Sequence, residues 1–183
     1  MSVTEANLGY CVEGNHEHKF QRWLEGRNVS ITHGLLETVA QIDEEGAEFR
    51  AALPAFLSRL HSYLWLDRGS LVVTHAGLKA DMIGLNSKAA KRFALFGDTT
   101  GAVDKFGLPV RTDWAAHYSG HTAIVYGHTA VSAAKWVNET ICIDTGCVFG
   151  GKLTALRWPE RTLVQVPAHR VWFQPARPLH PET

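Results

Sequence analysis

The amino-acid sequence predicts an α/β fold, and three observations carry that expectation. Four short apolar runs each stop on a polar residue with a glycine close by: Leu8 to Val12 before Gly14-Asn15-His16, Leu71 to Thr74 before His75, Thr122 to Tyr126 before Gly127-His128, and Thr140 to Ile143 before Asp144. Between the first run and the second lie stretches with apolar residues every three or four positions, the spacing of a helix that buries one face. The 183 residues, 45% hydrophobic and 20% charged, suffice for one ordinary globular domain.

In chain order, the first run reads as a strand ending near Gly14. Residues 16–26 carry Phe20, Trp23 and Leu24 at helical spacing with Gly26 as a stop, so Gly14-Asn15-His16-Glu17 stands at a strand-to-helix junction. A second helix over about 34–44 presents Leu35, Leu36, Val39, Ala40 and Ile42. A third over 47–63 presents Phe49, Leu53, Phe56, Leu57 and Leu60, and Pro54 is expected to kink it or to start a shorter helix. Tyr63 to Leu66 and Leu71 to Thr74 flank Asp67-Arg68-Gly69-Ser70 as a hairpin. A helix over 87–96 leads into a loop, residues 97–109, punctuated by glycine and proline and long enough to be a functional surface. Lys152 to Trp158 and Thr162 to Val166 read as a closing hairpin. Residues 175–183 hold three prolines and read as an extended tail after a domain over 1–174.

With 18 basic and 18 acidic side chains the formal net charge is zero, so no long-range field draws in nucleic acid. A polynucleotide substrate would be gripped by a local patch or by its end. No apolar run approaches the ~20 residues of a membrane span and no signal peptide opens the chain, so a cytosolic protein without a membrane partner is expected. Three cysteines, Cys11, Cys142 and Cys147, include no C-x-x-C pair and read as buried thiols.

The recurrence of polar residues at strand ends is the functional signal. In a sheet flanked by helices, residues just past the carboxyl ends of neighbouring strands converge on one crevice, where ligands and metals bind. An amide oxygen from Asn15 with imidazole nitrogens from His75 and His128 is a mixed donor set that suits manganese, iron, nickel or zinc better than calcium. Each residue also has a plain structural alternative: His75 and His128 as core histidines bonded to carbonyls, Asp144 as an Asx-turn residue. Trp114, Tyr118, Trp136 and Arg111, near the long loop, are candidates to stack on or pair with a nucleotide, or to be core.

The order Gly14-Asn15-His16-Glu17, His75-Ala76-Gly77, Gly127-His128-Thr129 resembles the second half of the calcineurin-like metallophosphoesterases. Leu95-Phe96-Gly97-Asp98-Thr99-Thr100-Gly101, Phe106-Gly107-Leu108-Pro109-Val110-Arg111 and the stretch from Ile143 to Arg157 resemble, more narrowly, the phosphatase module of bacterial polynucleotide kinase-phosphatases. That module is akin to the symmetrical diadenosine-tetraphosphatase and serine/threonine phosphatase branch. The resemblance implies the C-terminal portion of a β-sandwich flanked by helices, lacking its first strands, and a hydrolase of phosphate esters that uses two divalent metals, Mn²⁺ first. On this chain it implies Asn15, His75 and His128 as ligands of one metal, His16 as general acid at the leaving oxygen and Asp144 as a supporting acid. RNA ends, dinucleotides and phosphoproteins are the implied substrate classes.

Members of that family also carry an Asp-x-His and a Gly-Asp-x-x-Asp-Arg-Gly ahead of the Gly-Asn-His-Glu. Neither motif is found in the 13 residues before Gly14, and Asp67-Arg68-Gly69 lies after it without the preceding Gly-Asp. The missing motifs are expected upstream of Met1, in a companion N-terminal half, or else the chain is a decayed homologue with impaired or no activity. The alternative function is a non-catalytic remnant or partner subunit that binds a nucleotide or a companion chain.

Overall fold

The computed structural model describes residues 8–30, 32, 34–177 and 179. The chain divides into two compact units, Met1–Ser62 and Tyr63–Thr183.

The first unit is helical. Helices α1 (Asn15–Leu24), α2 (Leu35–Glu45) and α3 (Ala47–Leu57) bury Phe20, Leu35, Leu53 and Leu57 in one cluster. Phe20 and Trp23 stack with ring centroids 5.6 Å apart. Leu36 leaves the predicted stripe because it lies about 100° round the helix from Leu35, and it is 61% exposed. Pro54 stands inside α3 without ending it, giving up the bond its N–H would make to the preceding turn. The strand expected over residues 8–12 shrinks to a single parallel bridge between Val12 and His61. Gly9 offers no side chain to pack, and Leu8 and Tyr10 are left in solvent.

The second unit is built on a five-stranded sheet in the order β1–β2–β5–β7–β6. Its strands are β1 (Tyr63–Leu66), β2 (Leu71–Thr74), β5 (Ala123–Tyr126), β6 (Trp136–Val137) and β7 (Thr140–Cys142). Two separate hairpins join β3 (Thr99–Val103) to β4 (Pro109–Arg111) and β8 (Lys152–Arg157) to β9 (Thr162–Pro167). The predicted β1–β2 hairpin forms, and its Asp67–Gly69 turn has a structural role: Trp158 Nε1 donates to Asp67 Oδ2 at 2.8 Å. β2, β5 and β7 run parallel at the centre of the sheet. Parallel strands are covered on both faces, and these read accordingly as continuous apolar runs. Val72 and Ile124, paired in register, face a cluster with Leu78, Ala90, Phe93, Ala94 and Trp114. Leu71, Ala123, Val125 and Ile141 face the other way, toward Leu156 and Trp158.

Helix α4 (Lys88–Phe96) supplies Ala90, Phe93 and Ala94 to the first cluster. Ser87 caps its start, accepting the Ala90 N–H at 3.1 Å, and Gly97 ends it with a positive φ. Most of the expected loop over 97–109 belongs to the β3–β4 hairpin, which runs on to Arg111 and shows no apolar alternation in the sequence. Gly101 interrupts β3, the pairing slips in register, and most of β3 faces solvent. Of the expected tail, Arg177 donates to Asp104 at 3.1 Å, while residues 178 and 180–183 lie outside the described residues. No helix among the described residues is long and apolar enough to cross a membrane.

Candidate active site at the ends of the parallel strands

Parallel pairing aligns Val73 of β2 with Val125 of β5, and the ladder continues one step past the strands as the Gly127 N–H donates to the His75 carbonyl at 2.9 Å. The side chains that follow are therefore brought together. The His75 and His128 rings are tilted by 58° with centroids 4.6 Å apart, and His75 Nε2 lies 2.9 Å from His128 Nδ1. His128 holds a φ of 72°, a left-handed conformation that a non-glycine residue rarely adopts.

Arg111, the last residue of β4, completes a chain of three side chains. Its Nη2 donates to His128 Nε2 at 2.6 Å and its Nη1 donates to the Phe96 carbonyl. A guanidinium can only donate, so His128 Nε2 accepts. The network then assigns the His128 proton to Nδ1, which donates to His75 Nε2. Arg111 is half-buried; burial, and then the neighbouring Arg177 guanidinium, lower its pKa, yet an arginine remains cationic at neutral pH. Among the described residues no carboxylate pairs with Arg111.

The turn after β2 is pinned from below. Ala76 N–H donates to the Ala94 carbonyl at 2.7 Å, and the buried Thr74 hydroxyl lies 3.2 Å from both the Ala94 and Gly77 carbonyls. Gly77 has a φ of 141°, and a Cβ placed there would stand 2.5 Å from the Trp114 indole. Trp114 is held in turn by Phe93, Tyr118 and Tyr126, with ring centroids 5.8, 6.2 and 4.9 Å away. The glycine of His75-Ala76-Gly77 thus meets both a conformational and a contact requirement.

Asp144 stands just beyond β7. Its Oδ1 accepts the Gly146 N–H at 3.1 Å, the Asx turn, and its carbonyl accepts the Val131 N–H at 2.9 Å. Its Cβ would lie 3.2 Å from a Cβ at Gly127, so Asp144 backs the turn that carries His128. Asn15 and His16 are the first two residues of α1 in the first unit, Asn15 half-buried and His16 exposed. The Glu17 carboxylate accepts the Gly14 N–H at 3.1 Å, closing that turn locally. The second unit therefore brings His75 and His128 together, with Asp144 behind them, and Asn15 and His16 open the first helix of the other unit.

Two adjacent imidazoles suit a borderline divalent ion. Among the described residues no group of three or more His, Cys, Asp or Glu could hold a metal. In this arrangement both His128 nitrogens and the His75 Nε2 lone pair are engaged in the hydrogen-bond chain, so a cation bound here would have to displace the Arg111 guanidinium and the shared imidazole proton.

No family model matches the chain. Curated relatives do. It is 45% identical over 172 residues to the asymmetrical bis(5'-nucleosyl)-tetraphosphatase PrpE of Anoxybacillus flavithermus, covering 92% of this chain and 70% of that protein. It is 46% identical over 171 residues to the PrpE protein of a Geobacillus strain, covering 91% and 70%, and 44% identical over 170 residues to that of Bacillus cereus strain AH187, covering 91% and 69%. The chain belongs to the PrpE bis(5'-nucleosyl)-tetraphosphatase family. It is thus a member of a phosphatase family of hydrolases, with the mixed α/β fold that its strand ends predicted. A crystal structure of a protein described as a diadenosine tetraphosphatase shares that fold at a TM-score of 0.61 and 20% identity, covering 91% of this chain and 72% of its own.

Against the PrpE family background, the feature that sequence reasoning did not foresee is the Arg111–His128 contact. Arg111 was visible as a cation after Phe106-Gly107-Leu108-Pro109, but its partner lies 17 residues further along the chain and the hairpin that positions Arg111 is hidden in the sequence.

Proposed function

We propose that this chain contributes the substrate-handling part of a divalent-metal-dependent phosphohydrolase, with dinucleoside tetraphosphates, the substrates its relatives are named for, as its first substrate class. The observation that carries the reading is the His75–His128–Arg111 chain past the ends of two parallel strands. A cation-bearing corner of this kind receives a phosphoryl group, and the guanidinium matches its oxygens. Asn15, His75 and His128 are the proposed holders of one cation, Mn²⁺ first. When bound, such a cation supplies Lewis-acid polarisation of the phosphoryl group. His16 is the proposed proton donor to the leaving oxygen, an imidazole being suited to that task near neutral pH. Asp144 is a positioning residue, fixing the turn that presents His128.

The 183 residues contain neither an Asp-x-His nor a Gly-Asp-x-x-Asp-Arg-Gly. Without a bridging carboxylate the anionic centre of a two-metal mechanism is missing, so slow turnover is proposed for this chain by itself. The stretches Leu95 to Gly101, Phe106 to Arg111 and Ile143 to Arg157 favour a second reading, the end-processing phosphatase module of polynucleotide kinase-phosphatases.

Diadenosine tetraphosphate incubated with the purified chain, with Mn²⁺ or with EDTA, and resolved by anion-exchange chromatography tests the proposal. The expected result is slow, Mn²⁺-dependent release of unequal products, ATP and AMP, lost in His128→Ala. Equal product in EDTA, or no effect of His128→Ala, would sink it. Fast turnover abolished by His16→Ala would instead refute the importance given to the missing motifs, and faster release of phosphate from a 3′-phosphorylated oligonucleotide would favour the second reading.

A further inference from the structure

Beside Arg111 and the residues that follow His128, the second unit lines an open-mouthed cavity of about 350 Å³. Its wall is apolar and aromatic, with Trp114, Tyr126, Val137 and Cys142, and its rim carries Arg111 and Lys135. The wall is uncharged at neutral pH: burial pushes the Cys142 thiol up to about 12 and raises the Tyr126 hydroxyl further. The acids at the rim have other work. Asp98 is paired with Lys79 at 3.2 Å, and Asp113 accepts the Ala116 N–H at 3.1 Å.

A neutral, aromatic-walled hollow beside a half-buried guanidinium without a carboxylate partner among the described residues suits a ligand with two halves, a flat ring and an anion. Aromatic side chains stack on nucleobases, and arginine matches the geometry of a phosphate. The volume stands at the lower end of the roughly 300–1,000 Å³ usual for ligand pockets, room for one nucleoside phosphate and too little for two.

We propose that this cavity is the subsite for one nucleoside monophosphate moiety, with the base against the Trp114 and Tyr126 wall and the phosphate at Arg111. The identity of the substrate rests on the phosphohydrolase reading above; occupation of the subsite does not require turnover. The rest of a dinucleotide, or of a polynucleotide, lies outside it.

Calorimetric titration of the full chain with AMP, and separately with inorganic phosphate, in EDTA tests this. Arg111→Ala should weaken both ligands by at least about tenfold, the loss of a charged hydrogen bond. Ala133→Phe, which fills the cavity from an irregular segment, should weaken AMP at least about tenfold more than phosphate, one anchored base being worth that much. An unchanged AMP affinity in Ala133→Phe that melts like the parent overturns the proposal, as does a parent that binds AMP no more tightly than phosphate. Independently of any variant, transferred NMR cross-peaks from the AMP base protons to the Trp114 and Tyr126 rings are expected, and their absence in the bound complex overturns it too. Displacement of AMP by diadenosine tetraphosphate, or by a 3′-phosphorylated oligonucleotide, supports the subsite and names its source; displacement by neither overturns it. AMP binding with these dependences but no hydrolysis would end the phosphohydrolase reading alone, and hydrolysis without them would end the subsite alone.

Discussion

The Gly14-Asn15-His16-Glu17 turn and the His75–His128 pair are both histidine motifs at the end of an extended segment, yet they are held by different means. The first is closed within four residues by the Glu17 carboxylate on the Gly14 N–H, at the head of a ten-residue helix. The second joins residues 53 apart through the parallel register of β2 and β5 and is propped by Gly77, Trp114 and Thr74. A locally closed motif depends on its own residues. A motif assembled by a sheet depends on everything that fixes the sheet and its turns.

Four perturbations would break or sharpen that contrast. Gly77→Ala should act most strongly, because the added methyl meets the indole at 2.5 Å in a backbone conformation that resists alanine. A loss of roughly 3 kcal/mol is expected from overpacking and backbone strain together, read from chemical denaturation. It should also shift the imidazole ¹⁵N resonances of His75 and His128; an unshifted pair would show that the prop under His75 is dispensable. Thr74→Val removes a buried hydroxyl from two carbonyls and should cost about 1–2 kcal/mol, again with displaced His75 resonances. Glu17→Ala opens only the local turn and should cost about 0.5–1 kcal/mol, leaving the His75 and His128 resonances in place.

The smallest effect concerns acid. Burial works against the Asp98 carboxylate, but hydrogen bonds from Thr112, Lys79 and the Thr99 backbone outweigh it, so its folded pKa lies below the ordinary value. Its stabilisation is therefore present above the unfolded aspartate pKa of about 3.9 and is lost as pH falls through the lower folded value. Asp98→Asn should flatten that part of the acid limb of Tm against pH; an unchanged limb would deny Asp98 a role in holding the start of the β3–β4 hairpin.

The same contrast governs what could be read from sequence. The apolar runs Leu71–Thr74 and Ala123–Tyr126 are continuous because both their faces are covered, and their ends placed His75 and His128 correctly at one edge of the sheet. Helical stripes located α1, α2 and α4 to within two residues, whereas α3 stops at Leu57, six residues short of the predicted 47–63. The β3–β4 hairpin was not legible, since exposed strands carry no alternation to detect and Gly101 breaks what there is. β6, two residues long, is defined only by its neighbour β7. The segment over residues 8–12 looked like a strand because Tyr10 and Val12 favour one, but without packing for Leu8 and Tyr10 only one bridge forms. Arg111 was visible as a cation and not as a partner of His128, because that contact exists only once the hidden hairpin has folded back.

The backbone at His128 carries a cost that the surrounding turn has to meet. A left-handed φ of 72° costs an L-residue roughly 1–2 kcal/mol that glycine would not bear. Glycine there would relieve the strain but would also remove the ring contacts to His75 and Arg111, so the two effects oppose each other in the melting temperature. On the proposed reading, that strain is the cost of presenting an imidazole at a turn where glycine would sit more easily.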